Sequence, residues 1–159
     1  MLSLLGGGTF LEAYAGVLNG QDILDHCRQQ HAPEIYRTWL KNPVARVWVA
    51  ETKSGNAPIA YAVLDQSELD FPESSPNDFE VKRLYVFHRF KGTGIGAALL
   101  KTASSYAYRL GAQRLVLGVY SRNLEAIGFY TKVGFSPCGE RQFKVGSSVN
   151  DDFILSKLL

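Results

Sequence analysis

Cysteine is scarce. Only Cys27 and Cys138 occur in 159 residues, and they lie far apart. No CxxC or HExxH string exists, so neither a redox dithiol nor a zinc site is expected, and no metal of any kind is. The histidines His26, His31 and His88 do not share a helical face and are expected as core or surface residues rather than ligands. An excess of one charge is also missing. Lys and Arg number 17 against 15 Asp and Glu, a formal net charge of +2, which gives no reason to expect nucleic acid as a partner. No apolar run approaches the length of a membrane span. The opening MLSLLGGGTF lacks the basic n-region of a secretory leader, so a cytoplasmic location is the expectation. The phosphate-loop string GxxxxGK[ST] is absent too.

What remains is an ordinary globular composition, with 46% hydrophobic and 20% charged residues. The length favours a single domain over 1–159, able to bury roughly 70% of its unfolded surface. The first forty residues read as three short helical segments, Thr9 to Val17, Asp22 to Gln30 and Pro33 to Leu40. VARVWVAE (44–51) alternates as a strand and IAYAVL (59–64) returns as its hairpin partner. Residues 65–78 read as a loop. FEVKRLYVF (79–87) is a strand, 94–110 a helix, RLVLGVY (114–120) a strand buried on both faces, and 123–132 a short helix. GFSPCGERQFKV and DDFILSKLL read as a closing antiparallel pair. The order predicts an α+β fold with a mostly antiparallel sheet and one parallel crossover, running strand, glycine loop, helix, strand.

That glycine loop is the first functional signal. In RFKGTGIGAALL, Gly92, Gly94 and Gly96 precede an apolar helical run. Free N–H groups and the helix dipole at such a start favour an anion, and glycine lets it approach the backbone. A phosphate or pyrophosphate is the expected ligand, with Lys82, Arg83, Arg89 and Lys91 as nearby cations. Gly92, Gly94 and Ala97 also fit a dinucleotide fingerprint, G-x-G-x-x-[GA]. However, no acid ends the next strand, and the further parallel strands of that fold are missing.

The strand before the loop gives the second signal. Phe79 and Val81 are apolar at odd positions, Leu84 and Val86 at even ones. A regular strand does not change phase, so an extra residue near Lys82 or Arg83, a β-bulge, is predicted. The bulge bends this strand away from its parallel neighbour. Backbone groups of Leu84 and Val86 are left to pair with an amide-bearing ligand, as an added strand does. A ligand with a pyrophosphate at one end and amides along an arm is coenzyme A.

RLYV, KGTGIGAALL and VYSRNLEAIGFYTKVGF, in that order, are similar to the GNAT N-acetyltransferase superfamily. Its loop pattern [QR]-x-x-G-x-[GA] is met by Lys91 to Gly96 except at Lys91, which keeps the cation. Its N-x-x-A-x-x-F-Y-x-x-x-G-F stretch is met by Asn123, Ala126, Phe129, Tyr130, Gly134 and Phe135. The close match covers 79–135. WVAE, LGVYSRN and the C-terminal pair more weakly resemble small bacterial polyamine (spermidine) acetyltransferases. Members normally open on a β-strand, whereas this chain opens almost inside its first helix; a partner copy covering the sheet edge, as a homodimer, is one expectation.

The resemblance implies direct transfer of acetyl from acetyl-CoA to a primary amine of a small molecule, with no acyl-enzyme and no role for either cysteine. Such an amine is about one part in 2,500 free base at pH 7, a cost of roughly 4.6 kcal/mol, so a base is needed. Glu80 occupies the position where the family often places one, and Tyr130 the position that commonly protonates the departing thiolate. The cofactor would be held by Leu84, Tyr85 and Val86 on the strand, by Lys91, Gly92, Thr93, Gly94, Ile95 and Gly96 in the loop, and by Asn123, which also reads as a helix cap. Asp65, Glu68, Asp70, Glu73, Asp78 and Glu80, with no Lys or Arg among them, read as attracting a polycation or as a solvated loop. A coenzyme A-binding sensor without turnover and a transferase for peptide amines stay open as alternatives.

Overall fold

A computed structural model describes residues 1–159. The chain begins with α1 (Leu2–Tyr14), followed by α2 (Gly20–Gln30) and α3 (Pro33–Lys41). Asn19 starts α2, its Oδ1 accepting from the N–H of Gln21 at 2.9 Å and of Asp22 at 3.3 Å. Pro33 opens α3 at the position where a missing N–H costs nothing. The expected first segment, Thr9 to Val17, is displaced toward the N-terminus. Gly6, Gly7 and Gly8 lie inside α1 rather than before it. A Cβ on Gly6 would collide with the Tyr36 hydroxyl and the His31 ring, so this glycine serves close packing.

The sheet is built from β1 (Arg46–Glu51), β2 (Pro58–Gln66), β3 (Asp78–Val86), β4 (Arg114–Tyr120), β5 (Ser136–Val145) and β6 (Ser148–Leu158). Its order is β1-β2-β3-β4-β6-β5, and β3 and β4 form the parallel pair. Between them runs α4 (Ile95–Arg109), and α5 (Leu124–Lys132) follows β4. The predicted α+β class and mixed sheet are therefore observed.

Two layers cover the sheet. On one face, Leu100, Ala103 and Ala107 of α4 and Tyr130 of α5 pack against Phe79, Val81, Leu115, Leu117 and Val119. On the other, Leu5 and Tyr36 meet Tyr61 and Val63, and Phe10 meets Ile23 and Val145. No helix is long and apolar enough to cross a membrane.

Candidate active site

The predicted bulge is present. In the β2–β3 ladder Val63 pairs with Arg83 and Leu64 with Val81, so Lys82 is the extra residue. Before it, Phe79 and Val81 face α4; after it, Leu84 and Val86 do. The parallel ladder to β4 runs Asp78–Arg114, Phe79–Leu115, Glu80–Val116 and then stops. Beyond Glu80 the two strands diverge. The Phe87 N–H donates to Ile59 O at 3.0 Å. By alternation, Tyr85 and Arg83 also spend their backbone groups on β2, while those of Leu84 and Val86 point into the gap. Tyr85 therefore departs from the expectation: its backbone faces β2 and its ring stacks on Tyr61, with centroids 5.8 Å apart, on the α1 side.

The glycine loop sits at the start of α4. Gly92 and Gly94 have φ of 75° and 86°, a region only glycine enters freely, and a Cβ on either would meet nothing within 4 Å. The first bond of α4 is Ala98 N–H to Gly94 O, so the N–H groups from Gly92 through Ala97 have no protein partner. This is an uninterrupted run of donors around open space at the positive end of a helix. Gly96 has a further reason: its Cβ would sit 3.3 Å from Phe129 Cζ, so the residue lets α5 close onto α4. The Thr93 hydroxyl donates to Phe90 O at 2.6 Å and braces the loop. Ile95 anchors the helix start against Ala60, Ala62 and Leu99. Glu12 of α1 accepts from the His88 N–H at 2.8 Å, fixing the approach to the loop.

The expected cations divide. Lys91 pairs with Glu125 of α5 at 2.7 Å, an exposed contact that a phosphate can displace. Arg89 stays beside the loop, over Phe90. Lys82 and Arg83 do not serve it, because the bulge turns both away from α4. Lys82 Nζ lies 2.7 Å from both Glu80 and Glu68. Burial pushes its ammonium down, but the hydrogen bonds to those carboxylates outweigh burial and the shift is upward. Arg83 donates to Tyr36 Oη at 2.8 Å and to Gln30 O at 2.5 Å.

Glu80 is buried, on the face opposite α4, at the last paired position before the gap. Its Oε2 also accepts from the Glu68 N–H at 3.4 Å. Tyr130 approaches from α5 on the other face. Its ring is buried among Phe129 and Phe135, and its hydroxyl has no hydrogen-bond partner although no fully buried polar side-chain atom lacks one. The hydroxyl thus reaches accessible space. Burial pushes its pKa well up, with the Tyr14 phenol adding to the effect, so it holds its proton at neutral pH. Tyr14 stands on α1, across the sheet, and acts through the gap. Asn123 caps α5 by accepting from the Ala126 N–H at 3.1 Å, leaving its amide N–H groups free.

The acidic stretch is compensated by partners from outside it. Asn42 donates to Asp65 at 3.0 Å, Lys82 holds Glu68 and Glu80, and Arg114 pairs with Asp78 at 2.7 Å and Glu73 at 3.7 Å. Asp70 alone makes neither an ion pair nor a side-chain hydrogen bond. The cations that compensate the rest, Lys82 and Arg114, lie outside the run, where its composition does not show them.

Three residues that sequence reasoning passed over line the gap on the α1 face. Arg141 of β5 and Asp152 of β6 are cross-strand partners, and Asp152 is opposite Tyr120 of β4. Gly118, inside an otherwise bulky strand, lies beneath Arg141. A glycine in such a strand signals close approach, and that signal was available.

The family model for the GNAT acetyltransferase family matches residues 18–135, and the chain belongs to that family. An uncharacterized N-acetyltransferase of Mycobacterium bovis is 37% identical over 82 residues, covering 52% of this chain and 53% of that protein. One from Lactobacillus delbrueckii subsp. lactis is 31% identical over 99 residues, covering 62% and 57%. The chain thus spans about half the length of the curated relatives it matches. Among solved structures, the PaiA N-acetyltransferase of Thermoplasma acidophilum, in complex with coenzyme A, superposes with a TM-score of 0.78 at 23% identity, covering 99% of this chain and 91% of that one. That likeness is one of fold.

Proposed function

We propose that the chain transfers acetyl from acetyl-CoA directly to the primary amine of a small molecule. The observation that carries this is a coincidence in space: the free amide run from Gly92 to Ala97 adjoins the gap where β3 stops pairing with β4. The run suits the pyrophosphate. The unpaired groups of Leu84 and Val86 suit the amides of the pantetheine arm, and the Asn123 amide suits the same arm. The thioester then lies in the gap between Glu80 and Tyr130. Glu80, through water, takes a proton from the arriving ammonium. The amine nitrogen bonds to the thioester carbon, whose oxygen draws on an N–H of Leu84 or Val86. The C–S bond breaks, and the Tyr130 hydroxyl protonates the leaving thiolate. Nitrogen gives up two protons in all, the first to Glu80 before attack and the second to water as the amide forms; sulfur gains one from Tyr130, which recovers it from that water, and Glu80 releases the other to solvent.

A polyamine is the narrower acceptor suggested by sequence likeness, and the acidic stretch lends it no support, since nearly all of its carboxylates are already paired. The outer edge of β1 carries unpaired backbone groups, which supports a homodimer through that edge; sedimentation velocity tests it. A cytoplasmic setting, where acetyl-CoA is available, fits the reaction. Thermal denaturation with acetyl-CoA, NAD and ATP tests the coenzyme. Stabilisation by acetyl-CoA is expected, and stabilisation by NAD alone would overturn the reading. Thiol release over a panel of amines then tests turnover.

A further inference from the structure

The α1 face of the gap carries a charged pair with no part in the reaction as derived above. On β4, Leu115, Leu117 and Val119 face α4, so Val116, Gly118 and Tyr120 face the other way. Glu80 shares that second face, opposite Val116 at the end of the ladder. Gly118 is therefore the first residue on this face beyond the last β3–β4 pair, at the rim of the gap. Arg141 reaches across β6 to lie on it. A Cβ at Gly118 would collide with the guanidinium at Nε, Cζ and Nη2, so only glycine lets the cation lie flat there. Phe143 supports the guanidinium from behind, 5.3 Å from ring centroid to Cζ.

The pair with Asp152 is loose. Arg141 Nη2 and Nε both address one oxygen, Oδ2, at 3.3 and 3.4 Å. Nη1 of Arg141 and Oδ1 of Asp152 have no partner, and no fully buried polar side-chain atom is unsatisfied, so Oδ1 opens to accessible space. The side chain of Asp152 is 6% exposed and that of Arg141 30%. The phenols of Tyr14, Tyr85 and Tyr120 lie close by, Tyr14 under the influence of Asp152 and Arg141, and the neighbouring Asp151 carboxylate also acts on Asp152. The rim thus offers one cation and one anion side by side, each with an unused site, within one strand pair of Glu80.

A second positive charge beside the reacting amine, as in a polyamine, would meet Arg141. A carboxylate on the carbon bearing the amine would meet it favourably, and the ammonium would have Asp152 and Glu80 as neighbours. We propose that Arg141, seated on Gly118, holds a carboxylate carried beside the reacting amine, so that the acceptor is a zwitterion of the α-amino-acid type. This rests on the acetyl-CoA reading above and narrows its acceptor. The carboxylate is unchanged by the reaction; Arg141 and Asp152 orient, and the proton steps stay with Glu80 and Tyr130.

The test measures thiol release from acetyl-CoA with α-amino acids of neutral, acidic and aromatic side chain. Each is compared with its carboxamide and its decarboxylated amine, and spermidine is included. A charge-assisted pair is worth about a factor of ten to one hundred. The wild type is expected to favour an acid over its matched amine by that ratio in kcat/KM. The ratio falls toward one in Arg141→Gln and only partly in Arg141→Lys, with the loss chiefly in KM. An amine, amide or polyamine equal to or better than every acid overturns the proposal, as does a ratio that survives Arg141→Gln. If Arg141→Gln does not fold, Arg141→Lys and the wild-type ratio still decide. If no acid is turned over, calorimetry of the amino acids on coenzyme A-loaded wild type decides, and absence of binding sinks the assignment. Thermal stabilisation by acetyl-CoA, read separately, distinguishes failure of this acceptor from failure of the coenzyme reading, which would take the acceptor with it.

Discussion

Gly94→Ala separates a loop that binds from a loop that merely turns. At φ 86° an alanine occupies the left-handed region at a cost of about 1–2 kcal/mol. For a chain of this size that lowers the unliganded Tm by roughly 2–8 °C. The new Cβ meets no protein atom within 4 Å, so no clash adds to the strain. On the proposed reading, the open space it enters is that of the pyrophosphate held by the free N–H groups. Blocking one charge-assisted bond there removes about 1.5–3 kcal/mol of binding, tenfold or more. Wild type at a hundredfold excess of acetyl-CoA over Kd gains about 2.7 kcal/mol, a rise of roughly 5–10 °C. A tenfold weaker variant at the same concentration gains about 1.4 kcal/mol, a rise of roughly 3–6 °C. The assay is paired thermal denaturation, with and without acetyl-CoA, of both proteins. A variant that loses unliganded stability yet keeps the full ligand-induced rise would show that the glycines only shape the turn.

Tyr130→Phe is expected to lower kcat by about 100-fold or more with little change in acetyl-CoA affinity; an unaltered kcat in steady-state assays removes the hydroxyl from the reaction. Lys82→Met strips the buried Glu80 of its cation and should cost about 3 kcal/mol in urea denaturation, whereas Lys82→Met with Glu80→Leu recovers most of it; equal losses in the two variants would contradict the pairing. Burial first, then the Arg83 charge, holds His31 down to about 3 and His26 down to about 4. Both bind protons in the unfolded chain near pH 6.5 but stay neutral when folded. Their contribution is therefore complete above that pH and is lost below it, at up to about 1.4 kcal/mol per pH unit for each. His31→Gln should halve the slope of unfolding free energy between pH 6 and pH 5, and an unchanged slope would mean that the ring is not held neutral.

The strands and the later helices were legible because their patterns are local. RLVLGVY is β4 residue for residue, and the change of apolar phase between Val81 and Leu84 narrows the bulge to Lys82 or Arg83, the first of which is the surplus residue. The glycines of the loop were legible for the same reason, since a positive φ leaves its mark on the residue that adopts it. Other features were set by partners distant in sequence. The expected first helix began at Thr9 because the side chains that need a bare Gly6, Tyr36 and His31, arrive from elsewhere in the chain. The acidic stretch looked uncompensated because Lys82 and Arg114 lie beyond its end. Arg141, Asp152 and Gly118 come from three strands, and only the sheet order makes them neighbours. The direction of Tyr85 was legible too: with Leu84 and Val86 turned to the gap, alternation sends Tyr85 toward β2 wherever the bulge falls before them, and its place beside them as an expected cofactor residue goes against that parity.

The single surplus residue at Lys82 makes β3 intolerant of changes in length. Substitutions along it alter one contact at a time. Adding or deleting one residue between Phe79 and Arg83, other than the surplus residue itself, would invert the positions after it, swinging Arg83 and Tyr85 toward α4 and the aliphatic pair toward α1, whereas loss of Lys82 would keep both faces but remove the bend that parts β3 from β4. Both substrates would then meet the wrong surface at once. In this family member the spacing of that segment is a reading frame, and point replacement is the only route by which it can drift without loss of chemistry.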